Sequence, residues 1–346
     1  MGKTIGLLPA HPSQIWILRA IAAALKDSYS FRWYIRDKDI SCTLADELGI
    51  EYEIISKAQK GLLGNFQEFT RNIFRVLSVT REAGIDLWIS KYSAVHIAAK
   101  LLGRKSIFFV DDDYHIVPFL YNLSCPWADV VVLPETTSSG RFKKNLTRFV
   151  GVFELVYLHP DRFSPDMVIF DYLGIQRGNR YCIIRLAALS AHHDVGAKGL
   201  THSMVERAIA LAENYNVRVF ITSENPIHGD LENYRLAIPL SLIHHALFFA
   251  DFIVGDSQTM TSEAAVLGTP AFRINSFVGR IGCLADLEQR APSYGYKPGM
   301  ESQLLMDMEK HLQTHDKNPK NTIVNTISGY EDPLRVLIDA VHELME

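Results

Sequence analysis

The sequence predicts an α/β protein of two doubly wound, Rossmann-like domains, each built on a parallel sheet. Three observations carry this. Short β-type apolar runs alternate with helical stretches along the chain, the rhythm of strand–helix–strand crossovers. The alternation comes in two series, separated near residues 155–180 by a stretch that holds Pro160, Pro165, Gly174 and Gly178. Unusual polar residues collect just after the strand-like runs, where open α/β sheets bind ligands.

The first series opens with a strand over Thr4–Leu8, a loop holding Pro9, His11 and Pro12, and a helix from about Ser13 to Lys26. Phe31–Arg36, Tyr52–Ile55, Leu87–Ser90, Ser106–Val110 and Val130–Leu133 read as strands, with helices near residues 41–48, 65–82 and 93–102. The second series starts at Tyr181–Arg185 and continues through a helix near 201–214 to Val217–Thr222. The apolar run Leu247–Val254 is the next strand, paired later with Ala271–Ile274, and Thr259–Leu267 is helical in composition, stopped by Gly268 and Pro270. Asp332–Met345 reads as a capped amphipathic helix that packs back on one of the halves. The expected division is an N-terminal domain over 1–160, a C-terminal domain over 175–328, and a final helix over 329–346 that can cross back to the first. The connection between the domains is the best hinge candidate, and a cleft between them is the expected shared site.

Composition narrows the function classes. At 346 residues, with 48% hydrophobic and 21% charged residues, the chain can form two ordinary domains with substantial cores. A net charge of −4 argues against a nucleic-acid binder held by bulk charge. Cys42, Cys125, Cys182 and Cys283 form no CxxC pair, so no zinc site or disulfide framework is indicated. Gly2-Lys3-Thr4 has the letters of a phosphate loop but lacks the upstream glycine and strand that such a loop requires. The N-terminus carries no recognisable secretion signal, and no apolar run approaches the ~20 residues of a membrane span. A cytoplasmic protein is expected, with any membrane contact peripheral, at the inner face of the plasma membrane.

Chemistry concentrates at the strand ends. In GDSQTMTSEAAVLGTP, residues 255–270, Asp256 and Ser257 end a strand and open a helix. Free backbone N–H groups and the positive end of the helix dipole there suit a phosphate or diphosphate. Glu263, one turn inside the helix, can accept hydrogen bonds from a vicinal diol such as a ribose. The plain alternative is a surface helix with Asp256 or Ser257 as an ordinary cap and Glu263 solvated. Arg185 follows the first strand of the second series, suited to pairing with two phosphate oxygens or, equally, with a neighbouring acid. His192, His193 and Asp194 come next. Adjacent histidines project to opposite sides of an extended chain, which disfavours a metal site. His244 and His245 start the helix before ADFIV. In the first half, His11 is placed to act as a base toward an acceptor hydroxyl or to remain a loop histidine bonded to backbone. Of Asp111, Asp112 and Asp113, mutual repulsion forces one or two into solvated or capping roles. Glu135 is a further acid. The segment Lys57–Arg81 sets Lys57, Lys60, Arg71, Arg75 and Arg81 against the single acid Glu68, beside Leu62, Leu63, Phe66, Phe69, Ile73 and Val76. It reads as a core-packed helix with a solvated basic face, or as a surface for an anionic membrane.

An ordered set of phrases carries a family resemblance: LLPAHPSQIWILRAIAAAL, FFVDDDYH, ADVVVLPE, GVFELVYLHPDRFSPD, YCIIRLAALSAHHDVGAKG and ADFIVGDSQTMTSEAAVLGTPA. The chain resembles the family catalogued as domain of unknown function 354 and, more distantly, UDP-N-acetylglucosamine 2-epimerases and other enzymes of the two-domain GT-B fold. The last phrase is similar to the epimerases' DSGGIQEEA, with Asp256, Ser257, Glu263 and Ala264 on matching positions. Gln258 and Thr259 stand where the epimerases have two glycines, so side-chain donors would replace close backbone approach to a diphosphate. The resemblance implies a nucleotide-sugar site in a GT-B-like fold. Glu263 would bind the ribose. Asp256, Ser257, Gln258, Thr259, Arg185 and His193 would serve the nucleotide and its phosphates. His11, Asp112 and Asp113 would serve catalysis. The implied reaction is sugar transfer from a nucleotide diphosphate donor, a UDP-sugar, to an acceptor sugar or lipid-linked glycan in polysaccharide or glycoconjugate synthesis, without a metal or other cofactor. A 2-epimerase, hydrolysing or not, and a non-catalytic nucleotide-sugar binder are the other readings, and the oligomeric state stays open.

Overall fold

A computed structural model describes residues 2–38, 40–59, 61–187, 199–227, 229–314 and 328–346. The chain divides into two compact units, Met1–His159 with Tyr330–Glu346, and Pro160–Gly329. The chain therefore passes between them twice.

The first unit runs β1 (Thr4–Leu8), α1 (Pro12–Leu25), β2 (Ser30–Asp37), α2 (Ser41–Glu47), β3 (Glu53–Lys57), α3 (Gly61–Glu82), β4 (Leu87–Ser90), α4 (Ser93–Leu101), β5 (Lys105–Phe109), α5 (Pro118–Ser124), β6 (Val130–Pro134), β7 (Leu146–Phe149) and α6 (Leu155–Leu158). Its seven strands lie in the order β3-β2-β1-β4-β5-β6-β7. Every pairing is parallel. The central strands are buried and read as continuous apolar runs, as a sheet covered on both faces requires. α1 starts cleanly because Pro12 sits in its first turn and His11 caps it.

The second unit runs α7 (Ile169–Leu173), β8 (Tyr181–Leu186), α8 (His202–Asn214), β9 (Arg218–Ser223), two short 3-10 turns, α9 (Ile243–Phe249), β10 (Phe252–Gly255), α10 (Gln258–Val266), β11 (Ala271–Ile274), α11 (Gly282–Arg290), β12 (Ser293–Tyr296) and α12 (Glu301–Thr314). Its five parallel strands have the order β12-β11-β10-β8-β9. The run Leu247–Val254, expected as one strand, is split: Leu247–Phe249 close α9, and the strand begins at Phe252. Both pieces are largely buried, with Phe249 partly exposed, and such an apolar run carries no periodicity to tell helix from strand.

The last helix, α13 (Pro333–Met345), belongs to the first unit. Asp332 caps it by accepting from the Leu334 N–H at 3.1 Å. Leu334, Leu337, Val341 and Met345, spaced three or four residues apart, join the core of Ile5, Leu7, Leu87 and Ile89. Each such side chain contributes about 1.5–3 kcal/mol by burial, so residues far apart in the chain stabilise one core.

Candidate functional site

In the second sheet the chain order reverses between β8 and β10, and ligands of open α/β sheets bind outside the carboxyl ends of strands at such a point. Gly255 and Arg185 are register partners there. A Cβ on Gly255 would come 2.7 Å from the Arg185 carbonyl oxygen, so only glycine lets the two strands approach this closely.

Asp256 follows Gly255 and is buried. Its Oδ1 accepts from the Ala187 N–H at 2.6 Å and its Oδ2 from the Leu200 N–H at 3.2 Å. Burial pushes its carboxyl above the ordinary aspartate range, against the lowering effect of these backbone donors and of the Arg185 charge. One carboxylate thus holds the chain on both sides of residues 188–198. A Cβ on Gly199 would collide with its Oδ2. Asp256 is occupied in this way, and its carboxylate acts on neighbouring backbone. His192, His193 and Asp194 lie outside the described residues.

Ser257 caps α10, accepting from the Met260 N–H at 3.4 Å. Gln258 and Thr259 form the half-buried first turn. From Met260 to Val266 every residue is buried, so α10 is an interior helix and the surface-helix reading does not hold. Glu263 is only 4% exposed, and its Oε1 lies 3.1 Å from His244 Nε2 on α9, itself 3% exposed. Phe163 sets its ring edge toward His244, at 6.4 Å and 87°. His245 packs on the same Phe163 ring, at 5.1 Å, and accepts from the Asp166 N–H at 2.9 Å. Burial lowers its pKa.

Arg185 donates from NH1 to Thr222 Oγ1 at 3.2 Å and from NH2 to Glu224 Oε1 at 2.5 Å. Its Nε is buried with no hydrogen-bond partner among the described residues. Of the two readings of Arg185, the structure places the ion pair, so a phosphate would have to compete with half-exposed Glu224.

At the carboxyl edge of the first sheet, exposed His11 caps α1: its Nδ1 lies 3.3 Å from the Ser13 N–H and 2.9 Å from Ser13 Oγ. A nitrogen that accepts carries no proton, so the neutral ring here carries its proton on Nε2. Asp111 and Asp112 both bind Lys91, at 2.5 and 2.8 Å. Burial depresses the Lys91 pKa, but the two carboxylates outweigh it and raise the net value. Asp113 is buried and accepts from the Ser138 N–H at 2.7 Å. Repulsion among the three acids is thereby resolved by one cation and one backbone donor. Glu135 is exposed. Among the described residues no group of three His, Cys, Asp or Glu side chains is placed to hold a metal.

On α3, Glu68 is buried against Arg36, with bonds of 2.5 and 2.8 Å, and accepts from Ser56 and the Gln59 N–H, while Glu82 at the end of the helix is exposed. Arg36 and these donors hold its carboxyl below the usual range in spite of burial. Arg71, Arg75 and Arg81 are exposed, as are Phe66 at 69% and Phe74 at 67%. The side chains of Leu62 and Leu63, and all of Lys60, lie outside what is described. No helix among the described residues is long and apolar enough to cross a membrane.

Two parallel-sheet α/β units of these topologies define the GT-B class. The spinosyn forosaminyltransferase SpnP superposes with a TM-score of 0.67 at 14% identity, covering 100% of each chain. The UDP-GlcNAc 2-epimerase from Methanocaldococcus jannaschii gives 0.64 at 14%, over 97% of this chain and 99% of that one. Anabaena HepE, in complex with UDP and glucose, gives 0.61 at 14%, over 100% of each. At these identities the likeness is one of fold. No curated protein matches the chain by sequence. The chain belongs to the family described as protein of unknown function DUF354, whose model matches residues 33–280.

Two ion-pair partners escape sequence reasoning, Lys91 and Glu224, as does the contact of His244 with Glu263. Lys91 follows β4 and Asp111 follows β5, neighbours in the sheet, so the order of strands was the missing signal.

Proposed function

We propose that the protein is a glycosyltransferase that uses a nucleotide diphosphate sugar, a UDP-sugar in the first instance, and needs no metal. The observation that carries the reading is the buried Glu263 one turn inside α10, beside a capped helix N-terminus at the reversal point of the second sheet. A carboxylate held there suits the ribose diol, while Ser257, Gln258, Thr259 and the end of the helix suit a diphosphate. In transfer, the acceptor hydroxyl attacks the anomeric carbon, its proton passes to a base, and the bond to the diphosphate oxygen breaks. Preorganised donors at the helix end would stabilise the charge on the leaving diphosphate. His11 is the proposed base. In this arrangement it can take the proton only at Nδ1, at the expense of the 3.3 Å cap bond. Elimination-type epimerisation would call for several acids and bases around the sugar. Asp111 and Asp112 are bound to Lys91, and Asp113 to backbone, which supports transfer over epimerisation.

A panel of nucleoside diphosphates and their sugars, read by thermal shift and then by product analysis, tests the reading. A ligand at about 100 times its Kd stabilises by about 2.7 kcal/mol. UDP-sugars are expected to raise Tm and to be consumed only with an acceptor present. Release of a C2-epimerised sugar without acceptor would establish the epimerase, and no shift with any nucleotide would sink both.

The acceptor is proposed to be lipid-linked and met at an anionic membrane surface by α3, where Glu68 is buried while Arg71, Arg75, Arg81, Phe66 and Phe74 stay exposed and the one exposed acid, Glu82, stands at the far end of the helix. Each arginine near such a surface is worth about 1 kcal/mol. The double variant Arg71→Gln, Arg75→Gln is therefore expected to lose roughly 30-fold in sedimentation with vesicles containing phosphatidylglycerol, with little effect on UDP affinity. Equal sedimentation of variant and wild type would remove α3 from the contact.

A further inference from the structure

We infer that His244 is a positioning residue for nucleoside recognition: from α9 it orients the Glu263 carboxylate so that the site accepts a ribose and rejects a sugar without the vicinal hydroxyls. This rests on the nucleotide reading above.

Both side chains are almost fully buried, and their 3.1 Å contact joins two helices. A carboxylate withdrawn from water stays charged only when it is hydrogen-bonded, and a glutamate has several rotatable bonds, so an unsupported one would sample several rotamers. An Nε2–H donor on Oε1 addresses both needs. The imidazole is itself held in place by the Phe163 ring edge and by its helix. Neighbouring His245 is bonded to the Asp166 backbone, so the two adjacent histidines have separate tasks. Both touch Phe163, but His245 bonds the Asp166 backbone and His244 bonds Glu263. A diol needs both carboxylate oxygens held in a fixed plane. A site with buried polar groups rejects an analogue lacking the matching hydroxyls because those groups then go unpaired.

The test compares the affinity of UDP with that of 2′,3′-dideoxy-UDP, by calorimetry, in wild type and in His244→Phe, His244→Gln and His244→Asn. The control is the ratio of UDP to UMP affinity, which reads the diphosphate contacts. Wild type is expected to prefer UDP by roughly 30-fold or more, as two hydrogen bonds to a charged acceptor imply. His244→Phe and His244→Asn are expected to bring the preference below about threefold, with the UDP-to-UMP ratio unchanged; these values follow from the same bonds. Glutamine places an N–H near the Nε2 position and is expected to restore most of the preference, whereas asparagine is too short to reach. The asparagine variant keeps the test valid if phenylalanine does not fold. If wild type discriminates and both His244→Phe and His244→Asn keep the full preference, His244 has no positioning role and the Glu263 assignment stands. If wild type binds UDP and its dideoxy analogue alike, the ribose reading of Glu263 fails first, and this inference with it.

Discussion

Replacing His11 with alanine is expected to lower turnover by roughly 10²–10⁴-fold, the usual worth of a positioned acid or base, with UDP affinity little changed. The residues assigned to the nucleotide all belong to the second unit, and His11 belongs to the first. Alanine also removes a helix cap, a loss of about 1 kcal/mol, so the decisive variant is His11→Asn. Asparagine is a good cap and has no group able to take up a proton near neutral pH. Both variants should fall equally in turnover if the imidazole carries the proton. Should asparagine turn over at the wild-type rate, His11 is a cap and nothing more. A parallel loss of UDP affinity would make it a phosphate contact.

Glu263→Ala is expected to weaken UDP binding by about 2–4 kcal/mol, or roughly 30- to 1,000-fold, through two lost hydrogen bonds to a charged acceptor. Because Glu263 is buried against His244, alanine also strands a ring nitrogen at a cost of about 1–3 kcal/mol in stability, and Tm should fall. Glu263→Gln separates the two effects: its amide oxygen can still accept from His244 Nε2–H, so stability should be largely kept while affinity for the diol drops. Calorimetry with UDP decides it, and unchanged affinity in both variants would end the assignment.

The fold was legible where the pattern is strong. Thr4–Leu8, Leu87–Ser90 and Ala271–Ile274 are strands with the bounds that the apolar runs suggest. β7 and β12 were not foreseen, because LTRF and SYGY mix polar and aromatic residues at the sheet margins, without a buried strand's apolar run. In the candidate site, strand ends drew attention to Arg185, Asp256 and the Asp111–Asp113 run, and the structure places all of them at the carboxyl ends of strands. What the side chains do there depends on contacts that cross the fold. Glu224 reaches Arg185 from the next strand's end, and His244 reaches Glu263 from another helix. Such partners have no fixed sequence spacing. α10 shows the same limit: small residues such as Ala264, Ala265 and Ser262 read as a neutral helix surface, yet they are what an interior helix needs to pack closely.

The carboxylate of Asp256 works as a clasp between consecutive crossovers of the second sheet. Because Ala187 and Leu200 both donate to it, the exit from β8 and the approach to α8 are fastened to the residue that opens α10, at the point where the order of strands reverses. Removing that one side chain would leave two backbone donors without their acceptor at once, at about 1–3 kcal/mol for each that stays buried. A single acid thus sets the spacing of three chain segments around one strand end, and a change there would be felt by all of them together.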